Sequence, residues 1–275
     1  MKSICFKLYT LGHYPKIMTK TRPLILVTND DGVTAPGIRA LIQYMKEIGD
    51  VIVVAPNQAM SGMGHAITIN STLRLFEKHK EEGLQEYSCS GTPVDCVKFG
   101  VKVVADRSFD LLVSGINHGS NSSINVIYSG TMSAAIEGAI EGIPALGFSL
   151  NSHSLEADFT SCKSYVQQLA KKVLEKGLPK GVCLNVNIPH LPKEEIKGIK
   201  VCRQANAYWD ENFDERKDPF GNSYYWLSGQ FVNMDGGEST DEEALKDGYI
   251  SVVPTKFDLT AHEFRTELES WFTGS

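Results

Sequence analysis

The sequence predicts an α/β fold: a mostly parallel sheet with helices on both faces, extended towards the C-terminal end by a β-hairpin. Two patterns and their order carry that prediction. Short continuous apolar runs, such as LILV and VIVV, mark strands buried on both faces rather than on one. Between them apolar residues recur at helical spacing. The two patterns alternate along most of the chain, which is the order of a sheet wound by crossover helices.

Taken in order, Pro23 to Thr28 carries LILV and reads as the first buried strand. Pro36 marks the first turn of the following helix, whose apolar positions are Ile38, Leu41, Ile42, Met45 and Ile48, with Gly49 placed to end it. VIVVAP, Val51 to Pro56, is the second strand. Thr92 followed by Pro93 reads as an N-cap and first-turn proline, opening a helix through Val101. DLLVS, Asp110 to Ser114, is a strand. Ser129 to Gly142 is a helix with Met132, Ala135, Ile136, Ala139 and Ile140 on one face. Pro144 to Leu150 is a strand, Cys162 to Leu174 a helix, and Val182 to Ile188 another strand. Beyond about Pro192 the texture becomes aromatic, charged and turn-rich, and NAYWDENFDERKDPFGNSYYWLSG reads as a β-hairpin turning at Pro219–Gly221. A strand, GYISVVP, and an amphipathic helix from about His262 close the chain. Residues 23–275 are therefore expected to form a single domain, with a core to about residue 192 and extensions from about 193 to the end.

With 275 residues the chain can bury a substantial core. A net charge of −6 argues against a nucleic-acid polymer or a polybasic membrane contact as partner. It permits a small anionic substrate where local cations or helix N-termini offset the overall charge. The six cysteines, Cys5, Cys89, Cys96, Cys162, Cys183 and Cys202, include no Cys-x-x-Cys pair. Reduced thiols in a cytoplasmic protein are expected, not a zinc knuckle or redox motif. No apolar run is long enough for a membrane span. Residues 1–22 are basic but have no clear apolar stretch or small-residue cleavage site, and Met18 offers a second start. They are expected to be a disordered tail or an upstream start.

Ligands of open α/β sheets bind beyond the carboxyl ends of the strands, so the residues following each strand matter most. The first strand is followed by Asn29-Asp30-Asp31-Gly32, the second by a segment containing Ser61, and DLLVS by Gly115-Ile116-Asn117-His118-Gly119-Ser120-Asn121. Adjacent carboxylates repel by about 4 kcal/mol at contact range if the effective dielectric is about 20. Taken alone, Asp-Asp-Gly is also an ordinary Asx turn. With Ser61 and Asn117 expected on the same edge, the set becomes a hard-cation site of carboxylate, hydroxyl and amide oxygens, suited to Mg²⁺, Mn²⁺ or Ca²⁺. Ser129-Gly130-Thr131 then opens an apolar-faced helix, where free N–H groups, two hydroxyls and the helix dipole suit a phosphate. A plain serine N-cap would explain Ser129 but not the cluster.

VTNDDGVTAPGI, VVAPNQAMSG, SGTPVDCV, VSGINHGSN, VIYSGTMSAAIEG and DLTAH together resemble the stationary-phase survival protein SurE family of nucleotidases. The blocks occur in the family's order over roughly residues 23 to 262. The resemblance implies a Rossmann-like core and phosphomonoesterase activity on nucleoside 5′- and 3′-monophosphates. It also implies one divalent cation per subunit (Mg²⁺ or Mn²⁺, with Ca²⁺ as a crystal occupant) and a homodimer or homotetramer built partly by the C-terminal extensions. Carried over by motif, Asp30, Asp31, Ser61 and Asn117 would be the metal ligands. Asn121, Ser129, Gly130 and Thr131 would hold the phosphate. The chain departs from the family at Asn125, where an acidic residue or threonine is frequent, and at His118, where a small or aliphatic residue is; neither is expected to touch the metal set.

The reaction expected is hydrolysis by metal-activated water, with Asp30 and Asp31 as the catalytic acids and Asp30 orienting the water. His65, His118 and His262 are candidate bases, each expected to be structural or peripheral. Base and sugar selectivity is expected in the loops around residues 57–65 and 90–95. A haloacid-dehalogenase-like phosphatase needs an aspartate nucleophile with a second Asp two positions on; here Asn29 stands in the nucleophile's place before Asp31. A receiver-type signalling domain needs a phosphorylatable Asp at the end of a central strand, where DLLVS ends in Ser114. A dinucleotide fingerprint is missing after the first strand.

Overall fold

The computed structural model describes residues 22–154 and 156–273. The reading of the N-terminal tail falls on residues outside that range, Arg22 excepted. In chain order the first half contains β1 (Leu24–Thr28), α1 (Pro36–Lys46), β2 (Asp50–Pro56), β3 (Leu75–Glu81), β4 (Leu84–Cys89) and α2 (Pro93–Phe99). These are followed by β5 (Leu111–His118), α3 (Asn125–Tyr128), α4 (Gly130–Ile140) and β6 (Ala145–Asn151). The second half contains α5 (Lys163–Lys176), β7 (Val182–Pro189), β8 (Ile199–Val201), β9 (Ala207–Lys217), β10 (Ser223–Asn233), α6 (Asp241–Lys246), β11 (Ile250–Lys256) and α7 (His262–Thr273).

Nine strands form one sheet in the order β3-β4-β2-β1-β5-β6-β7-β11-β8. The run from β4 to β7 is parallel throughout. β3 joins β4 and β11 joins β7 antiparallel, so the mostly parallel α/β architecture is as expected. The alternation of side chains along a strand divides the core into two layers. Ile25 and Val27 of β1 face Ile38, Leu41, Ile42 and Met45 of α1 and Val166, Ala170 and Val173 of α5. Leu24 and Leu26 face Cys96 and Val97 of α2 and Met132 and Ala135 of α4. β1 is buried along its whole length, which is why LILV contains no polar residue.

Several elements differ from the sequence reading, the short α3, β8 and α6 being additional to it. The β3–β4 hairpin was not expected: β3 is an edge strand exposed along nearly all its length, so it carries no apolar signal. β5 runs four residues beyond DLLVS, to His118, and Asn117 therefore sits on a strand end instead of a loop. Its register against β6 shifts between Ser114 and Asn117. Gly115 makes the shift possible: its φ is +122°, and a Cβ there would lie 2.3 Å from the Phe148 carbonyl oxygen. Helix α1 ends at Lys46 with Glu47 as C-cap, before Gly49. The expected C-terminal hairpin is β9–β10, eleven residues on each side.

Chain direction sets the position of the site. From β1 the chain goes to β2 on one side, and later returns to β5 on the other. The crevice beyond β1 and β5 is thus a topological switch point, where α/β sheets hold their ligands.

Candidate active site

Beyond this switch point lies a hollow of about 410 Å³ lined by Asp30, Ser61, Asn117, Asn121 and Ser129, among others. Of the eight residues singled out from the sequence, these five meet on one surface. Asp31, Gly130 and Thr131 do not line it but touch residues that do. Asp31 accepts from the His118 backbone N–H at 3.3 Å and lies 3.4 Å from His118 Nδ1. His118 therefore touches the acid pair, contrary to expectation, because β5 continues past Ser114 and brings it alongside β1. Thr131 is fully buried and its hydroxyl donates to Asp30 Oδ1. Gly130 packs on Asp30, and a Cβ at this position would sit 2.9 Å from Asp30 Oδ2.

Asp30 is 3% exposed. Burial pushes its carboxyl up to about 6 against the Thr131 hydroxyl bond, and the neighbouring Asp31 charge pushes the same way. Among the described residues no Lys or Arg lines the hollow; its charged and polar groups are acids, amides, hydroxyls, histidines and the Trp209 indole. Asp30 is buried and Asp31 partly so, with the His118 ring 3.4 Å from Asp31 as the neighbouring group able to carry positive charge. The donor set fits a hard divalent cation: two carboxylates, the exposed Ser61 hydroxyl and the Asn117 amide. The Asn117 nitrogen already donates to the His118 and Gly119 carbonyls at 3.2 and 2.8 Å, which leaves its oxygen for a cation. Among the described residues no group of three or more His, Cys, Asp or Glu is placed to hold a metal ion.

Ser61 is carried by a loop fastened at several points. The Met60 N–H donates to the Asp30 carbonyl at 2.7 Å and the Gly64 N–H to the Tyr128 carbonyl at 3.1 Å. Further on, Thr92 Oγ1 donates to the Ala66 carbonyl, and Asp95 accepts from both the backbone and the hydroxyl of Thr68. Residues 90–95 thus brace the Ser61 loop and do not line the hollow. Ser129 is the N-cap of α4: its hydroxyl oxygen accepts from the Met132 N–H at 3.0 Å and keeps its own proton to donate. Asn121 is buried in an amide network, donating from its side chain to Ser149 Oγ and from its backbone to Asn187 Oδ1, while Asn185 donates to its carbonyl.

Several lining or supporting residues escaped the sequence reading. Asn185 and Asn187 interrupt the apolar strand VCLNVNIP, and that interruption was the available signal. Asp241, fully buried, accepts from the backbones of Ser123 and Ala205 and ties α6 to the Asn121 loop. Trp209, Phe231 and Glu242 complete the wall, and nothing local in the sequence marks them. Of the other two candidate histidines, His65 pairs with Glu137 and His262 pairs with Asp258, and neither lines the hollow.

Fold and hollow define the class: a doubly wound α/β protein with an acid-rich polar cleft at the switch point of its sheet. The chain belongs to the SurE family, whose model, described as survival protein SurE, matches residues 25–211. A Christiangramia forsetii protein named 5′-nucleotidase SurE is 63% identical over 259 residues, covering 92% of this chain and 98% of the relative. A Chlorobaculum tepidum protein of the same name is 45% identical over 250 residues, covering 91% and 95%. The crystal structure of the SurE protein from Aquifex aeolicus superposes with a TM-score of 0.78 at 38% identity, over 90% of this chain and 99% of that one.

Proposed function

We propose that this chain is a 5′-nucleotidase, a metal-dependent phosphomonoesterase that converts nucleoside 5′-monophosphates, and 3′-monophosphates as well, to nucleoside and phosphate. The names borne by its relatives support the reaction. The observation that carries it is the meeting of Asp30 and the Ser129 start of α4 on one hollow that, among the described residues, no Lys or Arg lines. Helix N-termini bind phosphate through free N–H groups, and an acid pair beside a dianion is tolerable only with a cation between them.

Asp30, Asp31, Ser61 and Asn117 would hold that cation, Mg²⁺ or Mn²⁺. When bound, it supplies Lewis-acid polarisation of the phosphoryl group and a lowered pKa for water. Thr131 holds Asp30 Oδ1 in place, and Asp30 so held would orient the attacking water. Ser129, which lines the hollow at the start of α4, would donate its hydroxyl proton to charge that builds on the phosphoryl oxygens, which is where most of the rate of such a slow reaction must arise; Gly130 and Thr131 would act through Asp30, on which they pack. The Asn121 network orients the loop beside them. Asn29 donates to the Gly32 carbonyl at 3.0 Å, and as an amide it offers no aspartyl nucleophile, which disfavours the haloacid-dehalogenase route. The described cysteines are free and buried, which supports a cytoplasmic setting. Among the described residues no helix is long and apolar enough to cross a membrane. We also propose assembly of copies through the C-terminal extensions.

The test is phosphate release from 5′-AMP and 3′-AMP by untreated protein, by chelator-treated protein, and after Mg²⁺ or Mn²⁺ is restored. Loss on chelation and recovery with the ion are expected. Turnover indifferent to chelator would falsify the metal assignment.

A further inference from the structure

We propose that Trp209 is the platform on which the substrate's base stacks, and that Asn125 holds it there; this rests on the nucleotidase reading. The hollow that contains Asp30 and Ser129 adjoins a second one of about 390 Å³, and the two share Gly62, Tyr128 and Trp209 in their walls. Ser129 at the start of α4 and Trp209 line the same hollow, so a phosphate at the one has the other within the same cleft.

The indole is fixed at two places and open at a third. Its Nε1–H donates to Asn125 Oδ1 at 2.8 Å. The Phe231 ring meets it edge-on, 5.6 Å between centroids at 65°, because Trp209 and Phe231 are directly opposed in the β9–β10 ladder. Even so, Trp209 remains 41% exposed. An indole with its polar group satisfied and held against a neighbouring ring loses little entropy when a flat ring covers its exposed surface. Asn125 opens α3, and Ser129 is both the C-cap of α3 and the N-cap of α4. One short segment therefore sets both the phosphate end and the aromatic end of the site.

The Asn125 amide accepts the indole N–H without bringing a further charge into an already acidic hollow. Stacking on a π-face is tolerant of base identity, so the site should demand a base while discriminating weakly among bases.

The test measures kcat and KM for 5′-AMP and for ribose 5-phosphate, the same sugar phosphate without a base. It uses the full chain, Trp209→Ala, Trp209→Phe and Asn125→Ala. In Trp209→Ala, KM for 5′-AMP should rise about ten- to a hundredfold, with the ribose 5-phosphate value moving far less. Trp209→Phe should recover most of the loss, Asn125→Ala should fall between, and competitive inhibition by adenosine should vanish in Trp209→Ala. An equal loss on both esters, with or without a change in sedimentation, overturns the proposal by making Trp209 a structural residue of the hairpin. So does an unchanged KM for 5′-AMP. If the parent chain hydrolyses no nucleotide, the nucleotidase reading falls, and calorimetric titration with adenosine then decides the platform separately: binding lost in Trp209→Ala supports it, and no binding to the parent overturns it.

Discussion

Asp30 shows how one residue can be costly to the fold and useful to the site. Its carboxyl is buried under Gly130, which must lack a side chain, and one oxygen is engaged by Thr131. Burial holds its pKa near 6, above the value of 3.8 for an unburied carboxyl. For an acid with a raised folded-state pKa, stability is lost as pH rises through that value, because the ionised form is disfavoured in the fold. At neutral pH and without metal, Asp30 therefore destabilises the protein. Asp30→Asn keeps the shape and can still accept from Thr131. It should lower phosphate release from 5′-AMP by about a hundredfold or more, while raising the melting temperature of chelator-treated protein at pH 7.5. A fall in both would mean that Asp30 is held by bonds beyond those seen. The acid pair was legible in the sequence because charge directly after a buried strand is conspicuous. The contact of His118 with Asp31 was not, because it depends on how far β5 stays paired with β6.

At the level of elements, the Ser61 loop and α4 are joined by a small charged cluster. Glu137, on the buried side of α4, accepts from His65 at 3.0 Å and pairs with Lys98 of α2. The hydrogen bond from His65 holds the Glu137 carboxyl below its usual range against the cost of burial, with Lys98 acting in the same direction. The folded-state pKa is depressed, so this stabilisation is complete above the unfolded value near 4.5 and fades as pH falls through the folded one. Glu137→Gln should cost about 1–3 kcal/mol at pH 7, with a smaller difference from the parent at pH 3.5, as read by urea unfolding at the two pH values. A constant difference would assign the effect to packing. The helix and strand interiors here were legible because each buries an apolar face. The β3–β4 hairpin was not, since an edge strand with residues such as Glu77, Lys78 and Lys80 in solvent carries no hydrophobic period. Its charges do protect the sheet edge from pairing with other chains.

At the scale of the whole molecule, the order of the strands explains why residues distant in sequence meet, and the C-terminal segment shows what the single chain leaves uncovered. Helix α7 buries none of its residues. Phe264, Leu268, Trp271 and Phe272 are spaced to fall on one stripe of it, and they are 41%, 38%, 63% and 81% exposed. Leu259, just before the helix, is 92% exposed. Isolated exposed apolar residues are ordinary, but a contiguous stripe on a terminal helix marks a contact surface. A helix this short is marginal in water without packing, which supports the proposed assembly of copies through this segment. The sequence foretold the amphipathic helix from its periodicity, but not its isolation from the sheet, since that depends on where β11 ends. Leu268→Glu with Trp271→Glu should shift the protein towards a monomer in sedimentation velocity at micromolar concentration, and helical circular dichroism should fall as α7 loses its partner surface. An unchanged sedimentation coefficient would rule out α7 as the joining element. The aromatic outer face of the β9–β10 hairpin would then be the next surface to alter.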